Sequence, residues 1–148
     1  MSLFFPDLNV WVALSVARHS HHETAWKWLR WLGRETQLVF SRYTQIGLLR
    51  LLTNQSVMGD RVLTLRQAWH VYDRWLDDPR VDFYPEPREI DGAFRQTTAA
   101  FGEAHASKSV GDCYLLAYAK QSGATLVTFD AALEAHARRQ GHPSMIPH

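Results

Sequence analysis

Short apolar runs alternate with stretches of helical periodicity along the chain, and the alternation predicts the order of elements. Residues 3–6 form a first apolar run that ends at Asp7. From Leu8 to Val16 the apolar residues come too densely for a surface helix, which predicts a buried helical turn or two. Residues 21–32 carry Ala25, Trp28, Leu29 and Leu32 at helical spacing, with Gly33 as a stop. A strand at 38–40 follows, then a helix at 43–53 with Ile46, Leu49 and Leu52 on one stripe, and a loop at 54–61. Thr64 is a good N-cap for a helix through Leu76, marked by Leu65, Ala68, Trp69 and Tyr72.

Residues 81–84 read as a brief strand closed by a Pro-Glu-Pro turn, 90–101 as a helix, and 105–111 as a small, polar loop. The last third is the clearest: a helix opening at Asp112 and running to Gln121, a Ser-Gly stop, a buried strand at 124–128, a helix at 131–139 and a final strand at 144–146. Strands that alternate with helices predict an α/β fold: one domain over residues 1–148 with a mainly parallel sheet of about five short strands. No repeat, low-complexity segment or linker interrupts it.

Composition adds limits. In 148 residues the hydrophobic fraction is 46%, enough for a core without disulfides or a structural metal. The single cysteine, Cys113, excludes an internal disulfide and a Cys-rich zinc site. A formal net charge of +1 neither marks a nucleic-acid binder nor excludes one, since a basic rim can surround an acidic centre. The apolar start lacks a basic leader and carries Asp7 in its middle, so it reads as strand and helix rather than signal peptide. No apolar run approaches the roughly 20 residues needed to span a bilayer. The expectation is a cytoplasmic protein with no membrane partner.

Three aspartates sit at element boundaries. Asp7 and Asp130 each follow a strand and Asp112 opens a helix. In an open parallel sheet, ligands collect beyond the carboxyl ends of the strands, so acids from distant parts of the sequence can meet there. Hard cations such as Mg²⁺ need few protein oxygens because they keep several waters. A helix N-cap accounts for each aspartate taken singly. It does not account for their joint placement, with PDLNVWVAL and LVTFD repeating the strand-to-acid arrangement at opposite ends of the chain.

The segments PDLNVWVAL, TQIGLLRLLTN and GDCYLLAYAKQSGATLVTFD resemble the PIN-domain family, specifically VapC-type toxins of bacterial toxin–antitoxin pairs. The resemblance spans nearly the whole chain and is most specific from Asp112 through Asp130. It implies a parallel-sheet PIN fold, Mg²⁺- or Mn²⁺-dependent endoribonuclease activity by in-line attack of water, inhibition by a VapB-type antitoxin, and a homodimer. Asp7, Asp112 and Asp130 become the metal-binding catalytic acids, with Asn9 and Thr128 as supporting groups. One departure stands out. PIN enzymes usually carry a Glu on the helix after the second strand, where this chain offers Gln45 and no acid between Glu35 and Asp60. A Gln carbonyl can accept a hydrogen bond or ligate weakly but brings no charge.

Other residues invite weaker readings. His21, His22 and Glu23 diverge by about 100° per residue on a helix, so a solvated helix start is expected rather than a chelate. His105, His136, His142 and His148 show no paired spacing. Trp26, Trp28 and Trp31 cannot all face one way, which leaves some for a dimer or antitoxin contact. Trp69 and Trp75 sit beside Leu at helical spacing and belong to core or interface rather than to base stacking. Cys113 is expected as a buried small residue. Among the cations, Lys108, Arg42 and Arg50 are candidates to meet phosphate, Lys108 foremost because its loop lies just ahead of Asp112. A metal-dependent ribonuclease toxin is the leading reading. A catalytically weak or inactive PIN-like module that binds RNA or protein, suggested by Gln45, is the alternative. An aspartyl-phosphate protein fares worse, because Asp7 lacks both the D-x-D and the preceding acidic pair of those families.

Overall fold

The computed structural model describes residues 2–148. Its elements, in chain order, begin with β1 (Ser2–Pro6), α1 (Leu8–Ser15), α2 (His22–Trp31), β2 (Thr36–Phe40) and α3 (Arg42–Leu52). They continue with α4 (Gln55–Met58), α5 (Leu65–Leu76), β3 (Val81–Phe83) and α6 (Ile90–Ala99). The last third holds α7 (Val110–Ser122), β4 (Thr125–Val127), α8 (Ala131–Arg139) and β5 (Ser144–Met145). The five strands form one sheet in the order β3-β2-β1-β4-β5, and every pairing is parallel. The α/β expectation therefore holds.

A parallel sheet is covered on both faces, which is why its strands are so apolar. Side chains alternate between two cores. One contains Leu38, Phe40 and Val127 with Val10, Trp11 and Leu14 of α1, Trp28 of α2, Leu48 of α3 and Tyr72 of α5. The other contains Phe5, Val39 and Leu126 with Leu116 and Tyr118 of α7 and Leu133 of α8. Trp11 lies stacked on Phe40 at 3.9 Å between ring centroids, and Phe5 meets Tyr118 at 4.4 Å.

Three local expectations change. The stretch at 54–61 is not plain loop: Asn54 caps a single turn, α4, whose Met58 is buried, and a 3₁₀ turn at Gly59–Arg61 follows. Four residues are too few for periodicity to register. Gly59, at φ +60°, takes the left-handed backbone that joins the two turns. The second change is at α7, which begins at Val110, two residues before Asp112. Asp112 is therefore inside the first turn, not at the N-cap. The third is His22, which is not a solvated helix start: its Nδ1 bonds the Ala13 carbonyl at 2.7 Å and ties α2 to α1. The three tryptophans of α2 do diverge. Trp28 is in the core, Trp26 is half-buried with its indole N–H on the Leu14 carbonyl, and Trp31 is 85% exposed.

Candidate active site

The strand order reverses between β1 and β4: the chain moves outward from β1 through β2 to β3, then returns to the other side of β1. A crevice opens beyond the carboxyl ends of the strands at such a switch point. Asp7 and Thr128 occupy the positions just past the ends of β1 and β4, and Asp7 N–H donates to the Val127 carbonyl at 2.7 Å.

Asp7 is 7% exposed. Its Oδ1 accepts from Leu8 N–H at 2.6 Å and its Oδ2 from the Thr128 hydroxyl at 2.8 Å. Burial raises its pKa. The two donors oppose that rise, and the charge of Asp130 adds to it. Thr128 Oγ1 in turn accepts from Asn9 Nδ2 at 3.2 Å and from Asp130 N–H at 3.0 Å. Asn9 Oδ1 accepts from Phe129 N–H at 3.1 Å. The hydroxyl thus has both its acceptor sites and its proton committed, and the turn from β4 into α8 is fixed to the start of α1. The Asn9 and Thr128 positions expected to support the aspartates do touch one of them or one another.

Asp130 is exposed and caps α8, with Oδ1 accepting from Ala132 N–H at 2.8 Å and Leu133 N–H at 3.3 Å. Asp112 differs from both. It is half-buried in the first turn of α7, and its pKa is pushed up to about 6 by burial, then by the charges of Asp7 and Asp130. No hydrogen bond to its carboxylate offsets that rise. Capping, which accounts for the local bonds of Asp7 and Asp130, leaves Asp112 unexplained. Asp130 bears on Asp7, and both bear on Asp112, with no cation offsetting either effect, so the three acids form a site short of positive charge.

Among the described residues, no group of three or more His, Cys, Asp or Glu is gathered into a ready cage. Mg²⁺ does not need one, since one or two carboxylates plus waters complete its octahedron. The donor set is entirely hard oxygen, which matches Mg²⁺ or Mn²⁺ and not a soft metal.

Gln45 and Arg42 are not brought to the aspartates. Tyr43 and Gly47 define the face of α3 turned toward the site: a Cβ at Gly111, beside Asp112, would meet the Tyr43 hydroxyl, and one at Gly47 would meet Leu8, beside Asp7. Gln45 lies two residues from each and so points the other way. Its Oε1 accepts from Arg42 Nη1 at 2.5 Å, and its side chain lies beside the Tyr72 hydroxyl. Arg42 is spread over the Phe83 ring, 4.5 Å from its centroid, at the end of β3. That is two strand spacings from β1, or about 10 Å. The sequence placed Gln45 on the right helix but not on its face, and Gly47 is the position that faces Leu8. Lys108 is exposed in a 3₁₀ turn just ahead of α7.

The chain belongs to the PIN-domain family, whose profile matches residues 4–139. It is 38% identical over 130 residues to Ribonuclease VapC41 of Mycobacterium tuberculosis, covering 85% of this chain and 88% of that protein. It is 30% identical over 138 residues to Ribonuclease VapC39 of the same organism, covering 86% and 88%. Its fold is shared by a chain of VapBC2 from Rickettsia felis, solved bound to a DNA fragment from its promoter (TM-score 0.72, 13% identity, 99% of each chain covered). It is shared also by VapC20 of Mycobacterium tuberculosis, described as a Sarcin-Ricin loop cleaving toxin (TM-score 0.66, 18% identity, 90% and 94% covered).

Proposed function

We propose that this chain is an Mg²⁺-dependent endoribonuclease toxin of a VapBC-type pair, with Mn²⁺ able to substitute, acting through Asp7, Asp112 and Asp130. The observation that carries the reading is Asp112, a carboxylate whose pKa is raised by burial and then by two neighbouring carboxylates, and which is bonded to nothing that would stabilise its charge. A structural acid would be paired. An acid that waits for a cation would not.

The chain's own residues divide the work. Thr128 and Leu8 N–H hold the Asp7 carboxylate in one orientation. The α8 N-terminus fixes Asp130, and α7 carries Asp112 on its first turn. A bound Mg²⁺ would neutralise these acids, polarise a phosphoryl oxygen and lower the pKa of an attacking water. Lys108 contributes positive charge where the RNA backbone arrives.

Relatives named as ribonucleases and neighbours solved as VapBC assemblies support RNA as substrate and a VapB-type antitoxin as partner. The antitoxin's place is the groove of about 970 Å³ between α1, α2 and α5, lined by Trp26 and Trp75, by the cations Lys27, Arg30 and Arg74, and by the acids Glu23 and Asp78. Asp78 is already paired with Arg80, so the cations exceed the free acid and an acidic amphipathic segment matches the groove. A second copy of the chain packs on the exposed stripe of Leu65, Trp69 and Leu76, which share one side of α5. The setting is the cytoplasm, and no helix among the described residues is long and apolar enough to cross a membrane.

The test is RNA incubated with purified chain and Mg²⁺, beside Asp112→Asn and an EDTA control. Cleavage lost in both controls supports the enzyme. Intact RNA with retained binding supports the non-catalytic module, the reading that the missing acid on α3 favours.

A further inference from the structure

Beside the acidic crevice, two rings lie face to face. The imidazole of His21 is stacked on Phe129 with centroids 4.3 Å apart and planes 9° from parallel. Phe129 stands between Thr128 and Asp130 in the turn that carries the site. Neither ring is loosely placed. Phe129 packs against the α1-side core, and its N–H is held by Asn9. His21 donates its N–H to His19 Nδ1 at 3.0 Å, and the next residue, His22, is bonded to the Ala13 carbonyl.

His21 stands at the N-cap position of α2, yet its side chain makes no capping bond. It is exposed, with one face of the imidazole on Phe129 and the His19 ring tilted 39° to it at 5.8 Å. A planar, exposed ring braced on one face is half of a stacking sandwich. Proteins bind unpaired RNA by supplying such planes, because every base has a π-face and a rigid platform loses little entropy on binding.

We propose that His21, braced by Phe129, is a nucleobase platform that stacks a base of the RNA strand beside Asp130 and so positions the substrate. The inference rests on the ribonuclease reading. It assigns His21 a positioning role and no part in bond cleavage.

The experiment is fluorescence anisotropy with a short labelled single-stranded RNA in EDTA, where no cleavage occurs, on wild type, His21→Ala and His21→Trp. Melting of each variant confirms the fold, and Phe129→Leu, which keeps the core filled, removes the brace by a second route. The expected result is about tenfold weaker binding for His21→Ala, a smaller loss for Phe129→Leu, and wild-type affinity or better for His21→Trp. With Mg²⁺, KM rises for His21→Ala while kcat is held. An abasic strand of the same length binds wild type and His21→Ala equally. The proposal is overturned if His21→Ala binds RNA as tightly as wild type, if His21→Trp is as weak as His21→Ala, or if the abasic strand keeps the tenfold difference. A wild type that neither binds nor cleaves any RNA overturns the ribonuclease reading and this platform with it.

Discussion

The Thr128 hydroxyl donates to Asp7 Oδ2 at 2.8 Å, joining residues 121 positions apart at the two central strand ends. That bond is the main local offset to the burial that pushes the Asp7 pKa up. Thr128→Val keeps the shape and removes the donor, leaving a buried carboxylate short of a partner and Asn9 Nδ2 short of an acceptor. The expected cost is about 1–3 kcal/mol of stability. Cation affinity or activity should fall about 10–100-fold. Thr128→Ser, which keeps the hydroxyl, should recover most of both. Urea unfolding and RNA cleavage rates read the two effects separately.

Asp112 gives the site a pH signature. Its pKa in the folded chain is about 6, above the ordinary carboxylate value, so the folded state binds the proton more tightly than the unfolded chain does. Without metal, the group's contribution to stability is greatest below the unfolded pKa and is lost as pH rises from about 4 through about 6. After allowance for solvent screening of a half-exposed group, the penalty at neutral pH is about 1–2 kcal/mol. Asp112→Asn should therefore raise the melting temperature of the metal-free protein at pH 7 by roughly 3–6 °C. Little change is expected at pH 4. Mg²⁺ should stabilise wild type more than the variant, and its affinity should drop as pH falls below 6. Equal melting temperatures at pH 7 would remove Asp112 from the list of strained acids.

Asp130 allows capping and metal binding to be separated. Asn caps a helix about as well as Asp does, so Asp130→Asn should change stability by less than about 0.5 kcal/mol. It removes a charge from the cation site all the same, and activity should fall about 10–100-fold or more. A variant that loses neither stability nor activity would reduce Asp130 to a helix cap.

The strands were legible because burial on both faces makes them short, uniformly apolar runs, and their alternation with helices implied a parallel sheet. The aspartates were legible because each follows or opens an element. What periodicity could not supply was anything shorter than its own period. α4 is a single turn, and the two-residue shift in the start of α7 turned Asp112 from a cap into an unpartnered acid. Side-chain direction was equally hidden. The stack of His21 on Phe129 joins residues far apart in sequence, and the path that brings them together is set by the His22–Ala13 bond and the Asn9 bracket.

The face of α3 gives a paired test. Gln45→Glu would supply the charge that the family pattern lacks, but on the side occupied by Arg42 and Tyr72. Mg²⁺ affinity should stay within about twofold of wild type, since the new carboxylate would be buried beside Arg42 and turned away from the aspartates. Gly47→Glu places a carboxylate on the side turned toward Leu8. A Cβ there meets Leu8 Cδ2 at 2.6 Å, a contact that the flexible end of the leucine can relieve by rotating. Affinity for Mg²⁺ should rise several-fold, measured by calorimetry. A stronger gain from Gln45→Glu than from Gly47→Glu would reverse the assignment of faces.

The groove between α1, α2 and α5 yields the last prediction. Its two indoles are already positioned: Trp75 Nε1 donates to Ser15 Oγ at 2.8 Å, Trp26 Nε1 to the Leu14 carbonyl at 3.0 Å, and the rings lie 5.8 Å apart. Anchors held in place before binding lose little entropy on association, which is where interface energy concentrates. Trp26→Ala should weaken antitoxin binding by about 2 kcal/mol or more, mainly through faster dissociation. The cations on the rim act differently. Arg74 is exposed, and its reversal in Arg74→Glu should slow association with an acidic partner about tenfold and flatten the dependence on salt. Surface plasmon resonance with the cognate antitoxin separates the two. If Trp26→Ala and Arg74→Glu both bind as wild type does, the antitoxin lies elsewhere on the molecule.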